Sequence, residues 1–111
     1  LGEAAVRLCA PAEGRLGRAE GSESARAAYA LTGIPTWATL GNERSGLVAI
    51  PESVSELHLC VDHDAGGELA ATRGLEAYVS PNRKILIRKV RARGADWNDE
   101  LQTWLLRKSK T

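Results

Sequence analysis

Cysteine is scarce in this sequence and long apolar stretches are missing, and each absence excludes a class of protein. The two cysteines, Cys9 and Cys60, lie in apolar segments and form no CxxC pair, so we expect two buried, reduced thiols and no structural zinc site. No apolar run approaches the roughly 20 residues that a membrane-spanning helix needs. A GxxxxGKS or GxxxxGKT phosphate-binding loop is also missing, which argues against a nucleotide-driven motor.

Length and composition indicate one globular unit. The 111 residues suffice for one hydrophobic core but not for two, and we find no internal repeat and no low-complexity linker. The first ten residues, LGEAAVRLCA, lack the basic and apolar stretches of a signal peptide. We therefore expect residues 1–111 to form a single cytoplasmic domain, without membrane contact, cut from a longer protein.

The formal net charge of +1 is unevenly divided along the chain. Residues 1–80 carry six arginines and eleven acids, whereas residues 81–111 carry nine basic residues and three acids. One interpretation is a solvated basic strand and helix end. The other is an electropositive flank beside an acidic centre, which suits a polyanion held by metal and protein together.

Apolar spacing predicts strands that alternate with helices. The predicted strands cover residues 5–8, 15–20, 34–40, 56–62 and 84–90, and the predicted helices cover residues 22–33, 66–79 and 96–108. Such alternation implies crossover connections. We therefore predict an α/β fold with a mainly parallel sheet of four to five strands and helices on both faces.

The last predicted helix places Trp97, Leu101, Trp104 and Leu105 on one face. Together with Trp37, which lies in a strand, its tryptophans are expected to pack in the core and not to stack on bases.

Acidic residues follow two of the predicted strands. In LHLCVDHDAGG, Asp62 ends a strand and Asp64 lies two residues on, while Glu20 ends the strand RLGRAE. Parallel strands place such residues at one edge of the sheet, where close carboxylates repel one another unless a cation compensates them. Mg²⁺ or Mn²⁺ suits such oxygen donors. Helix capping by Asp62, a solvated Asp64 and a helix-dipole role for Glu20 are the alternatives.

The order and spacing of three motifs, EGSESA, LHLCVDHDAGG and GADWNDEL, resemble the Toprim domain, a metal-dependent module of primases, topoisomerases and certain nucleases. The segments GIPTWATLG and DWND resemble Toprim domains of primases and primase-helicases of phages and plasmids. The resemblance extends from about Val6 to Leu105 and implies a Toprim-like, Rossmann-like sheet. A phosphatase of the haloacid dehalogenase type also uses Asp-x-Asp, but after its first strand.

The resemblance implies a role for each acid. Glu20 matches the general acid or base of the family and a further metal contact, and Asp62 and Asp64 match the paired aspartates that hold Mg²⁺. Asp96 matches an acidic position that holds a second metal ion or nucleotide in primase-like members, and Asn98 and Asp99 are candidate helix caps. Relatives often carry a lysine where this chain has Ala95.

The implied function is Mg²⁺-dependent nucleotidyl transfer in primer synthesis. The implied partners are a single-stranded DNA template, nucleotides and other domains of a replication protein. A Toprim nuclease and a non-catalytic nucleic-acid-binding module are the alternatives.

A basic strand leads towards the Asp96 loop. Its residues Arg88, Lys89, Arg91 and Arg93 are candidates for nucleic-acid contact, and solvated edge charges that discourage aggregation are the alternative.

Overall fold

The computed structural model describes residues 5–6, 13–39 and 50–109. Its strands are β1 (Ala5–Val6), β2 (Arg15–Glu20), β3 (Thr36–Thr39), β4 (Glu56–Val61) and β5 (Lys84–Lys89). Its helices are α1 (Ser22–Thr32), α2 (Ala65–Tyr78) and α3 (Trp97–Ser109). Every predicted element is present, with ends that differ by a few residues. Residues 7–8 of the first predicted strand, residue 40 of the third and Cys9 lie outside the described residues.

The strands form one sheet in the order β1-β3-β2-β4-β5. β2 to β5 run parallel to their neighbours, whereas the short β1 pairs antiparallel with β3. β2 and β4 are adjacent, with Ala19 opposite Cys60, so Glu20 and Asp62 follow at the same edge. The predicted α/β fold with a mainly parallel sheet is confirmed.

Helices cover both faces of the sheet. On one face, α1 and α3 enclose a cluster that includes Ala19, Ala28, Cys60 and Trp97. On the other face, α2 packs on Leu59, Val61 and their neighbours. Cys60 is buried as expected, and burial raises the pKa of its thiol to about 12, which disfavours the reactive thiolate.

The C-terminal half of α3 is more exposed than its apolar spacing predicts. Trp37 and Trp97 are buried as expected, but Trp104 is 42% exposed, so the prediction of core packing was wrong for Trp104. Leu105, on the same face of the helix, is 45% exposed. The reason is that α3 packs on the core through Trp97 and Leu101, whereas residues 102–109 are all exposed. Periodicity identifies an apolar face but not what covers it.

None of the helices in the described segments is long and apolar enough to cross a membrane.

Gly67 allows the start of α2 to approach the end of β4. A Cβ atom at this position would overlap the backbone carbonyl oxygen of Asp62, whereas a Cβ at Gly66 would meet only the Asp64 side chain at 3.4 Å. Backbone atoms cannot move aside as a flexible side chain can. The packing therefore requires glycine at position 67 but not at position 66.

We expect Gly67→Ala to lower the free energy of unfolding by roughly 1–3 kcal/mol, the usual cost of overpacking. Gly66→Ala is the matched control, and it should leave stability unchanged or raise it because alanine favours a helix. Urea denaturation measures both. Equal effects of the two substitutions would contradict the close approach.

Candidate functional site

Glu20 and Asp62 meet in a small pocket of about 10 Å³ at the carboxyl edge of the sheet, which Arg18 and Gly67 also line. Glu20 is the last residue of β2, and Gly21 follows with φ 82° and ψ 149°. That backbone conformation is accessible to glycine and strained for other residues, so the chain turns abruptly from Glu20 into α1. Asp62 follows β4 directly. The two acids therefore come from adjacent strand ends, as the sequence predicts.

Asp64 lies beside this pocket and caps α2. Its backbone is extended (φ −150°, ψ −179°), and its Oδ1 accepts a hydrogen bond of 2.7 Å from the Gly67 backbone N–H. This is the usual geometry of an aspartate N-cap. Helix capping, which was one of the alternatives to metal binding, is therefore observed at the start of α2. The residue that caps this helix is Asp64 and not Asp62.

Asp96 caps α3 in a reciprocal arrangement with Asp99. The Asp96 Oδ1 accepts from the Asp99 N–H at 2.8 Å, and the Asp99 Oδ2 accepts from the Asp96 N–H at 3.1 Å. This is a capping box made from two aspartates. The expected cap at Asp99 is confirmed as one half of the pair, and Asp96 supplies the other half.

Backbone hydrogen bonds join the loop after β4 to the loop after β5. The His63 N–H donates to the Ala95 carbonyl at 3.1 Å, and the Gly94 N–H donates to the His63 carbonyl at 2.8 Å. The Trp97 indole N–H donates to the Val61 carbonyl at 3.2 Å, and the Trp97 backbone N–H donates to the Asp62 carboxylate. Asp62 is thus held at the N-terminus of α3, where the helix dipole favours negative charge.

Burial and neighbouring acids raise the pKa of two carboxyls at this edge, Asp62 and Glu20. Partial burial, and then the charges of Asp64, Asp96 and Glu20, raise the pKa of Asp62 to about 6. Burial also raises the pKa of Glu20, and Arg18 offsets part of that effect. Within the described residues, no ion pair within 4.0 Å involves Glu20, Asp62, Asp64 or Asp96. In the part of the chain that the structure describes, negative charge is therefore concentrated here without a salt bridge.

The donor set fits a hard divalent cation with an incomplete protein shell. In the part of the chain that the structure describes, no three His, Cys, Asp or Glu side chains are grouped so as to hold one ion. Glu20 and Asp62 line the pocket, while Asp64 and Asp96 stand beside it with one oxygen each engaged in a cap. Mg²⁺ commonly takes one or two carboxylates and completes its shell with water and substrate phosphate oxygens.

Residues 15–105 match the family model of the Toprim domain. The chain belongs to this family. Among solved structures, this Toprim domain resembles a DNA primase domain from Pseudomonas aeruginosa, with a TM-score of 0.58 and 18% sequence identity. The match covers 85% of this chain and 32% of the primase domain, so the chain spans about a third of that protein's length. At this identity the likeness concerns the fold. No curated protein matches the sequence.

Arg18 of this Toprim domain is a site residue that the sequence patterns did not reveal. It is only 2% exposed, and it precedes Glu20 by two residues in β2. Its guanidinium carbon lies 5.6 Å from the Tyr78 ring centroid. It donates a hydrogen bond to the Tyr78 hydroxyl, but its Nε and Nη2 have no partner among the described residues. The missed signal is strand alternation, which places Leu16, Arg18 and Glu20 on one face.

The four basic candidates do not line the acid pocket. The Arg88 Nη1 lies 3.2 Å from the His58 Nδ1, and Lys89 forms an ion pair of 2.8 Å with Glu68. Arg91 and Arg93 have exposed side chains. Because side chains alternate along β5, Arg88 and Lys89 lie on opposite faces of the sheet, and Arg91 and Arg93 follow the end of the strand.

We expect a ¹³C NMR titration to place the pKa of the Asp62 carboxyl near 6. Asp64→Asn should lower this pKa, because it removes one repelling charge while the asparagine oxygen still caps α2. An Asp62 pKa near its ordinary value of 3.8, or one unchanged by Asp64→Asn, would contradict the repulsion.

Proposed function

We propose that this Toprim domain binds Mg²⁺ or Mn²⁺ between Glu20 and Asp62 and catalyses phosphodiester formation in primer synthesis. The observation that carries the proposal is the shared pocket of Glu20 and Asp62, which lacks an ion-pairing partner among the described residues. Asp64 and Asp96 stand close enough to raise the pKa of Asp62. Their remaining oxygens are the further ligands in this proposal.

A bound divalent ion would stabilise the negative charge that develops on the phosphoryl and leaving oxygens. Asp62 would hold that ion, and its carboxylate accepts a hydrogen bond from the Trp97 N–H. Glu20 is the proposed general base. It accepts the proton of the attacking 3′-hydroxyl while the new bond forms to the α-phosphorus and the bond to pyrophosphate breaks. Its raised pKa brings it closer to the working pH, where a base of this kind is most effective.

A longer replication protein of the primase or primase-helicase type is the proposed setting. The chain spans 32% of the primase domain that it resembles, so the remainder of such a protein would supply further surfaces for the single-stranded DNA template and the nucleotides. Ala95 also lacks the phosphate-binding side chain that a lysine would offer. We propose that residues 1–111 are the single Toprim domain of that protein.

One observation favours the non-catalytic alternative. Asp64 and Asp96 both use carboxylate oxygens to cap helices, which gives them a structural role that needs no metal. A module that only binds nucleic acid would keep these caps and would not need Glu20.

Primer synthesis by the full-length parent protein on a single-stranded DNA template tests the proposed reaction. We expect Glu20→Gln to reduce synthesis by about 10²–10⁴-fold, the usual contribution of a general base. Glu23→Gln is the matched control, since Glu23 is exposed in the first turn of α1, and it should retain activity. Template shortening would indicate a nuclease instead. Metal-independent binding that Glu20→Gln leaves unchanged, without any turnover, would support the binding module.

A further inference from the structure

A second cavity, of about 310 Å³, lies between the carboxyl end of β5, the helix α3 and the end of α1. We call it the β5–α3 cleft, and its functional side chains are those of Arg88, Arg91, Trp97, Glu100, Trp104 and Arg107. It shares no lining residue with the acid pocket. Any ligand that it holds therefore contacts a separate surface.

The cleft is strongly basic. Four basic residues line it, and Glu100 is the one acid among its lining residues. Lys89 is paired with Glu68. The side chains of Arg91 and Arg107 are exposed and form no ion pair within 4.0 Å in the described part of the chain. These two guanidinium groups are therefore available to an anion, and arginine is well suited to phosphate oxygens.

The partly exposed aromatic ring of Trp104 also lines the β5–α3 cleft. Trp104 is 42% exposed, and the Lys108 ammonium lies 4.7 Å from its ring centroid. Base stacking on aromatic rings, beside basic groups that follow the backbone, is how proteins bind single strands without sequence preference. A tryptophan that is nearly half exposed beside a cation fits this use better than core packing does.

The cleft is elongated along α3, so that a strand can lie along it. Its lining residues on α3 extend from Trp97 to Arg107, which corresponds to about 15 Å of helix.

We propose that the β5–α3 cleft binds single-stranded nucleic acid, with phosphates on Arg91 and Arg107 and one base against Trp104. The inference deepens the proposed function, and it rests on that function only in taking the strand to be the template. The ligand chemistry is a base joined to a phosphate, which both an oligonucleotide and a free nucleoside triphosphate possess.

Fluorescence anisotropy of a labelled oligothymidylate, measured with the full chain in buffer containing a chelator, tests the cleft without the metal site. We expect Arg91→Gln combined with Arg107→Gln to weaken binding about tenfold or more, and to reduce the salt slope by roughly 0.7 for each phosphate that an arginine no longer neutralises. Arg26→Gln combined with Arg73→Gln is the control, because both arginines are exposed on other helices and the charge change is the same. Equal weakening by the two double substitutions would overturn the proposal.

Tryptophan emission gives a second readout. Trp37 and Trp97 are buried, so oligothymidylate should quench the emission of Trp104, and Trp104→Leu should abolish the quenching while the unfolding transition is preserved. Quenching that persists in Trp104→Leu would overturn the stacking.

A competition experiment tests the class of ligand. Displacement of the oligonucleotide by thymidine triphosphate or polyglutamate at equal charge concentration would overturn the proposal that the ligand is a nucleic-acid strand. Because the chelator removes divalent ions, loss of catalysis and loss of this binding are separate results.

Discussion

The crowding of partly buried carboxylates at the ends of two adjacent parallel strands is the constraint on which this site depends. β2 and β4 are neighbours, so Glu20 and Asp62 reach the same pocket. The surrounding structure holds the charges together despite their repulsion. Gly67 admits the start of α2, Asp64 caps that helix, and the Trp97 N–H restrains Asp62. Such an arrangement stores unfavourable electrostatic energy that a cation can relieve.

The sheet and the meeting of Glu20 with Asp62 could be predicted from the sequence because both depend on local patterns. Apolar runs such as LHLCV identify buried strands, and alternating strands and helices require crossovers. Once the strands are parallel, residues at their carboxyl ends must share an edge. Gly33 ends α1 in a left-handed conformation, as its position after the alanine-rich segment predicts.

Other features depend on tertiary contacts that no local pattern specifies. An aspartate before a helix can cap it or point at a ligand, and the choice between these roles for Asp64 and Asp96 depends on backbone angles and neighbouring loops. Apolar spacing on α3 did not reveal that its second half extends beyond the core, which left Trp104 exposed. Arg18 was missed because a charged residue inside a buried strand contradicts the usual preference for the surface.

Two surfaces of opposite charge result, an acid pocket suited to a cation and a basic cleft suited to a strand. Titration of Mg²⁺ into the protein, followed by ¹H–¹⁵N NMR, tests the proposed cation site most directly. We expect shifts concentrated around residues 20 and 62, retained in Glu76→Gln, whose substituted acid is exposed on α2, and absent in Asp62→Asn. Shifts of equal size and location in Asp62→Asn would show that the carboxylates do not bind the ion.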